Sequence, residues 1–367
     1  MKRTKERFGV YAYLLFTLAL AGAMLLAITV GSAVIPLFDT LRVIAGSLYN
    51  AAAGLLKGLL EGINLESWSE AIPYAHLPDS LAKSIVIPIR VPRVLCTAMT
   101  GAALSLAGAA MQGLLRNPLA DGSTLGVSSG ASLGAVIAIA FGVAVPGFSF
   151  GGTMALAMLF AFLSLMIILS LAYALDKSLS THSIILIGVI FSMFASSLIS
   201  LIIAFAGEKV KAITFWTMGS LAGSSYEYAG ILFAALFLCG FAILKCAGEL
   251  NAFAVGEDNA RNIGVNVSRV KLIVLIAVSV LIGVAVSVGG TIGFVGLVVP
   301  HMARMLVGPN HKKLLPATMY FGSIFLLLAD LAARTILSPV ELPIGVITSL
   351  VGSVIFVAIF YRTRKGR

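Results

Sequence analysis

VLCTAMTGAALSLAGAAMQGL, residues 94–114, runs for 21 residues without an Asp, Glu, Lys, Arg or His. A helix rises ~1.5 Å per residue, so about 20 apolar residues cover the roughly 30 Å of hydrocarbon in a bilayer. The stretch therefore reads as a membrane span. Working outward, the same criterion picks residues 10–31, 122–143, 154–175, 183–206, 229–247, 270–288, 316–336 and 343–361. A shorter run, 292–307, contains Pro300 and overlaps the glycine-rich SVGGTIGF of 287–294. That pattern fits a short crossing or a broken, re-entrant helix shielded by protein. The expectation is an all-α integral membrane protein of about ten transmembrane helices, a single domain over residues 1–367.

Composition excludes a soluble fold. The chain is 59% hydrophobic and 11% charged, with a mean hydropathy of +1.06, where soluble domains run at roughly 45–50% apolar and 25% charged. MKRTKERFG followed by the apolar run 10–30 looks like a signal peptide, but its apolar core exceeds the usual ~7–15 residues, so it reads as a retained first span. Cys96, Cys239 and Cys246 lie singly in apolar segments, with no C-x-x-C spacing or His neighbour that would complete a metal site. His76, His182, His301 and His311 lack mutual ligand spacing, so loop or packing roles are the default.

The net charge of +10 gains its meaning from position. Lys and Arg collect in cytoplasmic loops of membrane proteins. With the N-terminus inside, 17 of the 25 basic residues fall on the cytoplasmic side. Eight lie outside: Arg42, Lys57, Lys83, Arg90, Arg93, Lys209, Lys211 and Arg334. The basic excess is a topology signal plus attraction to anionic lipid headgroups, and no basic, aromatic-laced groove for nucleic acid is visible. Both termini are expected in the cytoplasm.

Two stretches outside the spans are long. Residues 32–92 form an extracytoplasmic loop with an amphipathic run, FDTLRVIAGSLYNAAAGLLKGLLEGI at 38–63, expected as one or two short helices on the outer surface. A structural cap is favoured over a functional lid. Residues 246–271, CAGELNAFAVGEDNARNIGVNVSRVK, are cytoplasmic; helix formers broken by Gly248, Gly256 and Gly264 fit two short helices over about 248–268.

Gly101, Ser105, Ala109 and Gly113 recur every four residues, as do Gly126, Gly130 and Gly134. Small residues at that spacing make a flat helix face where backbones approach closely. Asp330 and Arg334, one turn apart, can pair within the membrane. An ion-driven carrier places carboxylates or unwound helices at mid-membrane, and the chain offers little of either. An ATP-driven pump needs the loop G-x-x-x-x-G-K-[ST], and no Gly-Lys-Ser or Gly-Lys-Thr occurs. Nucleotide must bind a partner, and the polar GEDNARNIG stretch is where such a partner could push. The runner-up is an ion-coupled secondary transporter; an intramembrane enzyme would need a catalytic pair that the sequence does not offer.

RVPRV from Arg90, GAALSLAGAAMQGLLRNPLADGSTLGVSSGASLGA from Gly101, GEDNARNIGV from Gly256, GFVGLVVPHMARMLVGPNHKKLLP from Gly293 and LADLAARTILSPVELPIGVIT from Leu328 occur in order. Together they resemble the FecCD-type permeases, the ten-helix membrane subunits of ATP-binding-cassette (ABC) importers for iron-siderophores, haem and vitamin B12. The resemblance covers nearly everything from Arg90 onward; the external stretch 32–92 departs from it, being longer than the family's first loop. It implies a type II importer permease fold, a homodimer, two cytoplasmic ATPase subunits that bind ATP and Mg, and an extracytoplasmic substrate-binding protein, in the inner or plasma membrane of a prokaryote. No cofactor or metal is implied for this chain, and no catalytic residue.

Carried over residue by residue, the resemblance makes Gly256, Glu257, Asp258, Arg261, Asn262 and Gly264 the ATPase coupling element. Arg90, Arg93 and Arg334 become docking residues for carboxylates of the binding protein, with interfacial anchoring as the plain alternative. Asn117, Leu119, Thr181 and His182 fall at the cytoplasmic gate, where His182 departs from the small polar residue expected. RVPRV before the second span and NVSRV at 266–270 are a faint trace of an internal repeat, inverted because spans five apart run oppositely.

Overall fold

The computed structural model describes residues 10–31, 35–62, 73–75, 81–143, 151–177 and 181–365. Among them all regular structure is helical: α1 (Val10–Thr29), α2 (Leu37–Gly62), α3 (Leu81–Ile85), α4 (Val91–Leu114), α5 (Val127–Phe141), α6 (Gly151–Leu175), α7 (Thr181–Phe205) and α8 (Val210–Thr217). There follow α9 (Tyr226–Lys245), α10 (Ala247–Phe253), α11 (Glu257–Asn262), α12 (Val267–Gly289), α13 (Val295–Val307), α14 (His311–Thr335) and α15 (Ile344–Lys365). A π-helical turn, Val86–Arg90, joins α3 to α4 into one continuous helix. Eight helices among the described residues are long and apolar enough to cross a membrane, and three apolar ones are shorter.

The core is built on α4, α12 and α14, whose residues are mostly buried; α1 and α9 pack around them and α7 packs on α5 and α6, each with apolar residues outward. Small residues decide the central contact. A Cβ on Gly101 would overlap the carbonyl of Gly322. With none there, the α4 and α14 backbones come close enough for Ser105 Oγ to donate to the Thr318 carbonyl and Ser323 Oγ to the Ala98 carbonyl, each at 2.7 Å. Gly130 and Gly134 bring α5 against Ser164, Phe160 and Leu156 of α6 in the same way. The four-residue spacing is thus a helix-packing device.

The run at 292–307 is a broken helix. At 13 residues α13 is about 20 Å long and falls short of a ~30 Å core. Beside the open stretch that precedes it, the turn after α8 is bonded to the end of α12 and to the start of α15. Ser220 N–H donates to the Gly289 carbonyl, Thr291 Oγ1 to the Thr217 carbonyl, and the amides of Ile344 and Gly345 to the carbonyls of Gly219 and Met218. Irregular backbone at membrane depth requires such shielding. Pro300 inside α13 has no N–H, so the carbonyl four residues before it, Gly296, loses its helical partner. Gln112 of α4 replaces it, its Nε2 donating to the Gly296 carbonyl at 3.3 Å and the Leu297 carbonyl at 3.2 Å.

Residues 38–63 were expected as one or two short helices. Most of that stretch forms one 26-residue helix, α2, long and apolar enough by itself to span, because its only breakers are glycines, which a helix tolerates singly. Asn50 clamps the returning chain to it: its Nδ2 donates to the Ala75 carbonyl at 3.0 Å and its Oδ1 accepts from the Ala75 amide at 2.7 Å. His76 and the rest of the return up to Ser80 lie outside the described residues.

Candidate functional site

Three places in the bundle hold the chemistry. The first is a cavity of about 560 Å³ between α4, α5, α7, α12, α13 and α15. Hydroxyls line it, among them Ser128, Ser129, Ser132, Ser196, Thr217 and Ser349, with Ile282, Val286 and Phe294 as apolar wall and Asp121 as a carboxylate. Helices α5 and α13 both begin beside it, so chain breaks rather than side-chain charge create the space. Of the four gate residues, Leu119 is exposed and lies on the cavity wall. Asn117 shapes the turn that carries it, its Oδ1 accepting from the Leu119 amide at 2.9 Å. His182 is exposed at the start of α7, away from the cavity lining; the side chain of Thr181 lies outside the described residues.

The second is the end of the bundle that carries α10 and α11, the GEDNARN end. Gly256 and Gly264 bracket α11 at φ 131° and 90°, which only glycine adopts without strain. Between them the helix splits by face. Asp258 and Arg261 point outward, 96% and 51% exposed, their charges 3.9 Å apart; Asn262 and Ile263 are exposed with them. Glu257 turns the other way, onto Lys271 of α12 at 2.8 Å. Lys271 is 1% exposed. Beside α11, α10 clasps α14: Asn251 Oδ1 lies 2.8 Å from the His311 amide, which donates to it, and 2.9 Å from His311 Nδ1. Asn251 Nδ2 donates to Asn310 Oδ1 at 3.0 Å. Asn251 thereby supplies an acceptor to the first turn of α14, where amides lack helical partners. Arg304 Nη2 extends the polar group by donating to Gln112 Oε1 at 3.1 Å.

The third is the opposite, arginine end. The structure brings Arg90, Arg93 and Arg334 together, but turns them inward, where the sequence reading expected side chains free to dock a partner. They are 5%, 7% and 4% exposed. Arg93 Nε and Nη2 donate to Asp330 Oδ1 at 3.1 and 2.9 Å, and Nη1 to both oxygens of Glu341 at 3.0 Å. Arg334 Nε sits 3.2 Å from Asp330 Oδ2 as an ion pair without hydrogen-bond alignment. Arg334 Nη2 donates to the Ala27 carbonyl at 2.6 Å, and Arg90 Nη1 to those of Ile28 and Thr29 at 2.7 Å. The last carbonyls of a helix are orphaned and carry its negative dipole end, so two guanidinium groups cap α1. A buried charge needs partners, and this inward turn supplies them.

The model of the FecCD transport family matches residues 17–362. The chain belongs to the FecCD transport family. The ABC transporter permease protein YvrB of Bacillus subtilis is 46% identical over 289 residues, 78% of this chain and 82% of that protein. The cobalamin import system permease protein BtuC of Halobacterium salinarum is 34% identical over 351 residues, 96% of this chain and 89% of that one. A solved structure of a metal-chelate type ABC transporter in an inward-facing conformation is 30% identical with a TM-score of 0.78, covering 96% of this chain and 99% of that one. As a FecCD member the chain is the permease component of an ABC transporter, a multi-pass membrane protein whose role is transport rather than catalysis.

Gln112, Asn251, Lys271 and Glu341 were given no role in the sequence reading, although each partners a motif; His311, read as a loop or packing residue, is buried against Asn251. Pro300 was a usable signal for Gln112, since an internal proline in a helix always frees a carbonyl that something must satisfy.

Proposed function

We propose that the chain imports a metal chelate: two copies form a homodimer around a shared pathway, each resting on a cytoplasmic ATPase subunit and receiving cargo from an extracytoplasmic binding protein. An iron-siderophore is the first choice of cargo, with haem and a corrinoid as the alternatives. The observation that carries the reading is the pairing of a hydroxyl-lined cavity at the broken helices with an outward-facing charged helix, α11, at one end of the same bundle. A path for solute and a surface for an external motor are what a passive permease needs.

On this reading the GEDNARN end is cytoplasmic, in the plasma or inner membrane of a prokaryote, with both termini on that side. ATP and Mg bind the partner, whose closure shifts the bundle between outward-open and inward-open states through differential contacts. Asp258, Arg261 and Asn262 supply the contact, and the turn Asn117–Leu119 with Thr181 and His182 closes the inner mouth. α7 and α15 support the homodimer: each contributes a serine to the cavity, and each leaves apolar residues such as Phe194 and Val354 exposed for a second copy to cover. The binding protein docks at the arginine end, whose shape Arg90, Arg93 and Arg334 hold from within.

The test is to purify the chain with the partners encoded beside it, identify the bound small molecule by mass and absorption spectrum, and measure its ATP-dependent uptake in vesicles. Uptake that requires the ATPase is the expected result. Uphill movement by the permease alone under an ion gradient would overturn the reading in favour of a secondary transporter.

A further inference from the structure

Glu257 opens the same six-residue helix as Asp258 and Arg261, yet does different work. Its carboxylate meets Lys271 Nζ at 2.8 Å, with side-chain exposures of 27% and 2%. Ala260, three residues on, is fully buried on the same face. Lys271 lies in the first turns of α12, and α12 runs on to Ile282 and Val286, which line the cavity. From Lys271 to Val286 is 15 residues, or about 22 Å of helix.

We propose that Glu257 is a positioning residue that locks the coupling helix α11 to α12, so that displacement of α11 by the ATPase moves the cavity wall. The proposal rests on α11 being the ATPase contact, and gives Glu257 a role inside the permease in place of one at that contact. The physical reason is the asymmetry of the pair. Pulling α11 away would take a carboxylate at 2.8 Å from an ammonium group that is almost wholly buried, and losing a counter-charge at a buried site is disfavoured. The joint therefore resists separation. The Asp258 and Arg261 pair is exposed and loosely spaced, so it exchanges partners at little cost. One face of α11 grips the bundle and the other remains open to the motor.

The test uses the permease reconstituted with its ATPase, with Cys96, Cys239 and Cys246 replaced by alanine and a single reporter, Val286→Cys. The readout is the rate at which a charged, water-soluble thiosulfonate reagent modifies that cysteine, with and without ATP and Mg, alongside ATP hydrolysis. The parent should show an ATP-dependent change of about fivefold or more, the low end of coupling between sites. Glu257→Gln should abolish that change while hydrolysis and co-purification of the ATPase persist. Lys271→Met removes the joint without stranding a charge, and serves if Glu257→Gln does not fold. The exchange Glu257→Lys with Lys271→Glu should restore the response, which a mere loss of packing would not. Full response in Lys271→Met, or no rescue by the exchange, overturns the proposal. Arg261→Glu separates the two readings: if it leaves the response and ATPase binding intact, α11 is not the contact. If it removes them while Glu257→Gln and Lys271→Met do not, the contact stands and the joint falls.

Discussion

At the arginine end, Arg90, Arg93, Asp330, Arg334 and Glu341 fold their charges inward, and four of the five are nearly inaccessible. At the GEDNARN end a single short helix divides its charges, Glu257 inward and Asp258 and Arg261 outward. The two regions look alike in sequence, as clusters of Arg with Asp or Glu beside apolar spans. They differ in what burial demands. An inward charge holds elements together and fails badly when its partner is removed. An outward charge contributes little to the fold and remains available to another protein. α14 joins the two ends, from His311 under the Asn251 clasp to Arg334 in the arginine cluster.

The strongest test of this contrast is Asp330→Ala. Asp330 is 1% exposed and faces both Arg93 and Arg334. Its removal leaves two buried guanidinium groups short of a counter-charge, and breaking a buried pair costs about 3–5 kcal/mol. The variant should show a large drop in the thermal midpoint of the detergent-solubilised protein. Asp258→Ala, made in parallel at the 96%-exposed position, should leave the midpoint unchanged. Equal effects at the two sites would end the distinction.

A smaller loss is expected from Gly101→Ala. The added methyl meets the Gly322 backbone rather than a side chain that could swing away, and overpacking of this kind costs about 1–3 kcal/mol. Both ends depend on the register of α4 against α14. The substitution should therefore lower the thermal midpoint and also disturb the Ser105 and Ser323 contacts along the same seam. A tolerated valine at Gly101 would mean that the seam is looser than its hydrogen bonds indicate.

Much of this was legible beforehand, and the boundary falls at particular residues. The spans follow from the length of the apolar runs, and a close-packed face on α4 from the spacing of Gly101, Ser105, Ala109 and Gly113, though not that α14 is its partner. The Asp330–Arg334 pair was legible from its one-turn spacing; the inward direction of Arg90 and Arg93 was not. The acceptors of Arg93 are Asp330 and Glu341, 237 and 248 residues along the chain, and those of Arg90 are backbone carbonyls of α1, which no side-chain pattern announces. α11 was half legible. GEDNARN marks an exposed polar helix, and buried Ala260 marks the inward face that Glu257 shares, but only the fold shows that Lys271 waits there. The π-helical turn Val86–Arg90, which starts the second span before Val91, left no signal that we recognise.

The smallest effect is expected at Glu341→Gln, and it tests burial as the deciding variable within one cluster. Glu341 and Asp330 both bind Arg93, at 3.0 and 2.9 Å, so distance alone would rank them equal. The Glu341 side chain is 38% exposed and Asp330 1%. With water beside it, the Glu341 pair is screened, and Arg93 keeps its two bonds to Asp330 when the charge at position 341 is removed. The amide oxygen introduced by the substitution can still accept one bond from Arg93 Nη1. The loss should be at most about 1 kcal/mol, the scale of exposed ion pairs, and should shrink further as salt is raised. Thermal midpoints at low and high salt, compared with those of Asp330→Ala, measure the ratio directly. If Glu341→Gln proves as damaging as Asp330→Ala, the cluster acts as one unit closed over by the Glu341 loop, and solvent exposure ceases to distinguish its members.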